Sequence, residues 1–166
     1  MKHWYLIHTR PREDERAEAN LARQGYRVFL PRVHLRKRRR HGMATVTESL
    51  FPRYLFIELD DLAENWAPIR STRGVASLVR FGGEATVVPQ QVVDAVRART
   101  DDGQSVDLTR ISDYRRNERV RIIDGPFREL EGLFVTRSGE ERVVVLLNLM
   151  HKHQEVRFPE RAIARA

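Results

Sequence analysis

The chain has 166 residues, enough for one medium domain or two small ones, and its 41% apolar content is ordinary for a globular protein. It has no cysteine, which excludes a disulfide framework and thiolate-held metals, and no run reaches the ~20 apolar residues of a membrane-spanning helix. The net charge of +7 is unevenly placed: residues 1–100 hold 18 Lys/Arg against 11 Asp/Glu, and residues 101–166 hold 12 of each, so only the N-terminal part favours a polyanionic partner.

Residues 4–9 are apolar and β-branched and predict a first strand. Residues 11–15 (Pro-Arg-Glu-Asp-Glu) open a helix with proline and acids in its first turn, as the helix dipole favours. Ala17, Leu21 and Ala22 continue it and Gly25 ends it. Arg16, Asn20, Arg23 and Gln24, three to four apart, share its polar face, which by default is simply solvated.

Residues 26–30 predict a short strand closed by Pro31, and residues 33–36 begin another. The five consecutive cations of 36–40, followed by His41 and Gly42, read as the exposed tip of a β-hairpin whose return arm is 45–47. Such a tip is either a flexible basic loop or a contact for nucleic acid or an acidic surface. Residues 54–59 are the central strand candidate, with Pro52 at the first residue of that strand because it cannot donate to a ladder. Alternation puts Tyr54, Phe56 and Glu58 on one side and Leu55, Ile57 and Leu59 on the other. One side builds the core. The other is either buried under helices of the same domain or an aromatic surface open to a partner.

Residues 60–69 predict a polar connection or short helix with Trp66 exposed. A turn at 71–74 leads into 75–81, Gly82 and Gly83 make a tight turn, and Pro89 starts a helix with an apolar stripe at Val92, Val93 and Val96. The expected organisation is therefore a domain over 1–100, a polar linker over 101–116 and a small second module over 117–166. Nothing marks an enzyme. There is no phosphate-binding glycine motif and no nucleophile arrangement, and His151 and His153 lack a third ligand, so neither a cofactor nor a metal is expected.

The second module satisfies two periods. Val120/Ile122 and Val143/Val145/Leu147/Leu149 alternate as strands do, while Val120, Ile123, Phe127, Leu130 and Phe134, and Val143, Leu146, Leu147 and Met150, step as helices do. Pro126 would cost a helix interior ~3 kcal/mol unless it begins or kinks it.

The strand with Trp4 and Tyr5, the helix after it, Leu50-Phe-Pro-Arg-Tyr-Leu-Phe56 and then Thr72-Arg-Gly-Val75 resemble the N-terminal (NGN) domain of NusG-type transcription elongation factors. The run Glu118-Arg-Val-Arg-Ile-Ile-Asp-Gly-Pro-Phe127 through Gly132 resembles their KOW motif, with Glu129 in place of the second glycine. The basic hairpin, Val79-Arg-Phe-Gly82 and Leu147-Asn-Leu149 are most similar to the specialised RfaH branch of that family.

The resemblance implies an α/β NGN domain with an antiparallel sheet. It also implies a small C-terminal KOW domain that is either an α-helical hairpin (closed) or a five-stranded β-barrel (open). The implied function is operon-specific transcription elongation and antitermination without catalysis; the alternative is a general NusG-like factor with a permanently β KOW domain. The surface that grips the clamp helices of the RNA polymerase β′ subunit would comprise Phe51, Pro52, Tyr54, Phe56, Val93 and Val96. Exposed non-template DNA would meet Arg10, Arg16, Asn20, Gln24, Thr72 and Arg73, with Arg40 available to phosphate. These types suit that task, since guanidinium groups neutralise phosphate or fork onto guanine and carboxamides pair with a base edge. Asn20 stands where RfaH usually has His. Asn65, Trp66 and Ala67 replace a His-Thr-Thr run that contacts the polymerase β subunit, so that contact would be lost or rebuilt around Trp66. By the same resemblance Glu48 and Arg142 form an interdomain ion pair, with Phe127, Leu130, Leu146 and Met150 at the interface. The released barrel would recruit a small-subunit ribosomal protein. The protein is expected to be a soluble, cytoplasmic monomer with no membrane partner.

Overall fold

A computed structural model of the chain describes residues 1–61, 65–100, 102–109 and 138–157, with side chains through Lys152. Its strands are β1 (Lys2–Thr9), β2 (Arg27–Phe29), β3 (Arg32–Arg39), β4 (Gly42–Ser49), β5 (Tyr54–Asp60), β6 (Val75–Leu78), β7 (Arg80–Phe81), β8 (Glu84–Ala85), β9 (Val87–Val88) and β10 (Ser105–Asp107). The helices are α1 (Asp14–Arg23), α2 (Ala67–Arg70), α3 (Gln90–Ala98) and α4 (Gly139–Arg157).

The main sheet runs β2-β5-β1-β6, with β9 also on β1, and every pairing in it is antiparallel. Its centre is the register that sets Leu6 opposite Phe56 and Tyr5 opposite Ile57. Alternation then divides the interior in two. Tyr5, Ile7, Leu55, Ile57 and Leu59 pack with Ala17 and Leu21 of α1 and Ile69 of α2. Trp4, Leu6 and Phe56 belong to a second cluster with Val92, Val93 and Val96 of α3 and Leu146, Leu149 and Met150 of α4. The N-terminal α/β domain with an antiparallel sheet is therefore present, and both faces of β5 are covered.

Several expectations are corrected. Pro52 is not the first residue of β5; it lies in the turn before it, and Arg53 there adopts a left-handed φ of 72°. The cations of 36–39 are not a loop tip but the end of β3, paired with Gly42 through Thr45 of β4, and only Arg40 and His41 form the turn. Cross-strand pairing overrides the low strand propensity of a lysine and arginine run. The polar stretch after residue 100 is not all linker. Ser105–Asp107 adds to β3 in parallel, and Val106 and Leu108 are buried in the core. The carboxylate of Asp102 accepts from the backbone N–H of Gln104 and Ser105, which organise the turn ahead of β10 and hold its pKa below the usual carboxylate range. Trp66 is half-buried rather than exposed; its ring meets Tyr5 edge-on at 4.9 Å and its Nε1 donates to the Asp60 carbonyl.

Within the second module, residues 139–157 take the helical of the two periods. Ser138 Oγ accepts from the Glu141 N–H, and Glu140 and Glu141 lie in the first turn, the acidic end that a helix dipole favours. Phe127 and Leu130 lie outside the described residues.

Candidate functional site

The turn that carries Phe51 and Pro52 is held by a buried carboxylate. Asp14, at the start of α1, accepts from Thr9 Oγ1 at 2.7 Å, Ser49 Oγ at 2.8 Å and the Arg53 backbone N–H at 2.9 Å. Three donors on one carboxylate satisfy it away from water. They also tie β1, β4 and the 51–53 turn to one point. Thr9 and Arg53 close the knot through Thr9 N–H to the Arg53 carbonyl at 2.8 Å. In sequence Asp14 is only an acid in a first helical turn. Its partners at 49 and 53 lie beyond the reach of any local pattern.

Against this turn lies α4. A β-carbon on Gly139 would meet Pro52 Cγ at 2.5 Å, so the helix backbone approaches the proline ring as closely as a glycine allows. One turn on, the fully buried Arg142 donates from Nε to the Leu50 carbonyl at 2.6 Å and from Nη2 to Glu48 Oε1 at 3.2 Å. Burial pulls its guanidinium below the ordinary arginine range, and the Glu48 carboxylate pulls it back up. A buried cation needs such a counter-ion, because desolvating it alone costs several kcal/mol. Farther along, Leu146, Leu149 and Met150 enter the cluster of Phe51 and Phe56, and His151 meets Phe81 edge-on at 5.7 Å.

The six residues expected on the polymerase surface are thus gathered. Phe51, Phe56, Val93 and Val96 are buried in the cluster that α4 joins, while Pro52 and Tyr54 are half-buried at its margin. Phe56 is flanked by Phe29 and Phe51, each 5.9 Å away, and Tyr54 stacks on His8 at 4.9 Å. Burial moves the pKa of His8 down from its ordinary value; nearby Arg53 pushes the same way and Asp14 opposes it.

The residues expected at DNA fall in two places. Asn20, Gln24, Thr72 and Arg73 meet where α1 packs on the 71–74 turn. Asn20 Nδ2 donates to the Arg73 carbonyl, and Gln24 Nε2 to Thr72 Oγ1 at 2.7 Å. Arg10 adjoins the same turn through its N–H to the Gly74 carbonyl, and Arg16 lies one helical turn from Asn20, paired with Glu13. Arg40 stands apart on the hairpin turn. Thr72 is buried and its hydroxyl already serves Gln24 and the Pro68 carbonyl, so it is a support for the patch rather than part of its surface. The exposed guanidinium groups of Arg10 and Arg73 have no partner among the described residues. Arg12, two residues after Arg10, and Arg70, three residues before Arg73, are also exposed.

The chain is similar in sequence to known proteins. A chain of 24% identity, the transcription termination/antitermination protein NusG of Bacillus subtilis, aligns over 93% of this chain and 93% of its own length. NusG of Thermus thermophilus aligns at 26% identity over 98% of each. A solved structure described as domain interaction in Thermotoga maritima NusG matches 58% of this chain and 55% of that one, with a TM-score of 0.41 and 23% identity. The model of the family described as "Transcription termination factor nusG" matches residues 2–97, the part that contains the main sheet, α1, α2 and most of α3, and the chain therefore belongs to the NusG family of transcription factors.

Proposed function

We propose that this chain is an operon-specific elongation and antitermination factor of the RfaH type, held closed by α4 until its polymerase surface is needed. The observation that carries this reading is Arg142, buried against Glu48 and the Leu50 carbonyl at the edge of the apolar cluster. On this reading RNA polymerase clamp helices and α4 compete for Phe51, Pro52, Tyr54, Phe56, Val93 and Val96. Release of α4 removes its burial gain, and the second period of the C-terminal module, the alternating one, then lets a KOW barrel form and recruit a small-subunit ribosomal protein. Arg10, Arg16, Asn20, Gln24 and Arg73 read exposed non-template DNA, supported by Thr72, with Arg40 on phosphate.

The test is elongation by purified RNA polymerase on templates with and without a candidate pause element, using the full chain and its Tyr54→Ala variant. Tyr54 is half-buried and its truncation leaves the sheet's buried rings in place. Loss of both polymerase binding and pause suppression is expected. Unchanged binding by Tyr54→Ala removes the surface from the mechanism, and equal action on both templates favours the alternative, a general factor with a permanently β KOW domain.

A further inference from the structure

Beyond Arg40, already assigned to phosphate, the β3–β4 hairpin carries charge that neither the basic patch nor the covered face uses. Arg36, Arg38, Arg39 and Arg40 are exposed, with no ion-pair partner among the described residues. Lys37 differs. Its Nζ donates to Glu48 Oε2 at 2.7 Å, and the other oxygen of that carboxylate accepts from Arg142 at 3.2 Å. The register pairs Val33 with Glu48 and Lys37 with Ala44, which puts Lys37 and Glu48 on the same face of the ribbon. One carboxylate is therefore shared between a cation on the hairpin and a cation on α4.

We propose that the hairpin docks the phosphate strand of nucleic acid without regard to sequence, and that docking tightens the hold of α4 by drawing Lys37 away from Glu48. This rests on the reading of α4 as a releasable cover. The hairpin's cations outnumber its one carboxylate, Glu48, which Lys37 and Arg142 already engage, so the exposed arginines bind polyanions. Residues 36–47 contain no Phe, Tyr or Trp on which a base could stack, so the contact is chiefly with phosphates. Exposure decides which cation can leave Glu48. The Lys37 side chain is 37% exposed and that of Arg142 is fully buried, so only Lys37 can swing to an incoming phosphate without leaving a desolvated charge behind. In the shared arrangement the two cations repel each other across the anion. With Lys37 on phosphate, that repulsion is removed and Glu48 serves Arg142 alone. A chain sliding on arbitrary nucleic acid is then kept closed.

Hydrogen exchange of the α4 amides in the full chain tests this, with and without a short duplex, and separately a single strand, of arbitrary sequence at low salt. Nucleic acid is expected to slow exchange of residues 139–152 roughly two- to five-fold, the scale of a partly exposed ion pair. Lys37→Gln should give the same slowing without nucleic acid and no further change when it is added. Arg38→Gln with Arg39→Gln should lose both binding and slowing. Faster exchange in Lys37→Gln overturns the proposal, since Lys37 would then be a support for the ion pair. So does nucleic-acid binding that leaves exchange unchanged, or binding to polyglutamate and not to either nucleic acid. Glu48→Gln separates the two readings. If it leaves α4 exchange unaltered, the ion pair does not hold the cover and the proposed function loses its support. If it speeds exchange and Lys37→Gln does not slow it, only the coupling fails.

Discussion

Pro52 and Gly139 touch so closely that no other residue fits at position 139: a β-carbon there would lie 2.5 Å from Cγ and 3.0 Å from Cδ of the proline ring. A proline ring cannot swing aside as a long side chain does, and Pro52 is fixed by the turn that Asp14 organises. Gly139→Ala should therefore push the first turn of α4 off the sheet. Overpacking of this kind costs about 1–3 kcal/mol. The expected outcome is faster hydrogen exchange in α4 with unchanged exchange in β1 and β5. Equal slow exchange in both proteins would show that the helix start yields without cost.

The Asp14 carboxylate anchors the turn that carries Phe51 and Pro52. Asp14→Ala strands the donors of Thr9, Ser49 and Arg53, each of which now bonds to it. Losing three hydrogen bonds to the carboxylate while leaving the buried Thr9 hydroxyl and two partly buried donors unpaired costs on the order of 3 kcal/mol. Urea unfolding should show a midpoint shift of that size with little change in slope. The amide shifts of Phe51 and Arg53 should move in the folded variant, because the turn has lost its anchor.

How much of this was legible beforehand follows from the reach of each signal. The faces of residues 54–59 rest on alternation and the end of α1 on Gly25, and the sequence carries both openly. The helix does not open at Pro11 as expected, because residues 11–12 form a turn in which Arg12 takes a left-handed φ of 63°, and α1 begins at Asp14. The end of β3 was hidden because a run of arginines lacks strand propensity, and only its pairing with Met43 through Thr45 makes it a strand. Ser105–Asp107 was hidden for a similar reason: Val106 and Leu108 are two apolar residues in a polar stretch, and the parallel partner that buries them is some seventy positions away. The meeting of Asn20, Gln24, Thr72 and Arg73 could be expected only from family resemblance, since their spacing reveals nothing. For residues 139–157 both periods were present, and contacts with Leu50, Pro52 and Glu48 accompany the helical one.

Gly74 is the point at which α1 and the basic patch are brought together. Its φ is 97°, and a β-carbon would lie 2.7 Å from the Ala17 backbone nitrogen. Strain at a left-handed position and overpacking against a helix backbone add, so Gly74→Ala should lose on the order of 3 kcal/mol of stability. The hydrogen bond from the Arg10 N–H to the Gly74 carbonyl and that from Asn20 to Arg73 should loosen together. Thermal unfolding measures the first effect, and the shift of the Arg10 amide proton measures the second. Wild-type stability would mean that the turn can retreat from α1 without penalty.

His8 gives the N-terminal domain a pH dependence whose sign can be worked out. The imidazole stacks on Tyr54, and burial together with Arg53 holds its folded pKa below the ordinary 6.5, despite the opposing pull of Asp14. Well above pH 6.5 the ring is neutral in both folded and unfolded chains and contributes no pH dependence. As the pH falls below that value the unfolded chain takes up a proton first, so the unfolded state is favoured, and stability declines until the folded ring also titrates. Domain stability should therefore decrease from pH 7 toward pH 5, and His8→Gln should flatten that part of the curve. Urea unfolding at a series of pH values, with the His8 ring protons followed by NMR in the folded state, measures both quantities. A His8 midpoint at or above 6.5, or an unchanged slope in His8→Gln, would place the pH dependence elsewhere and leave the stack with Tyr54 indifferent to charge.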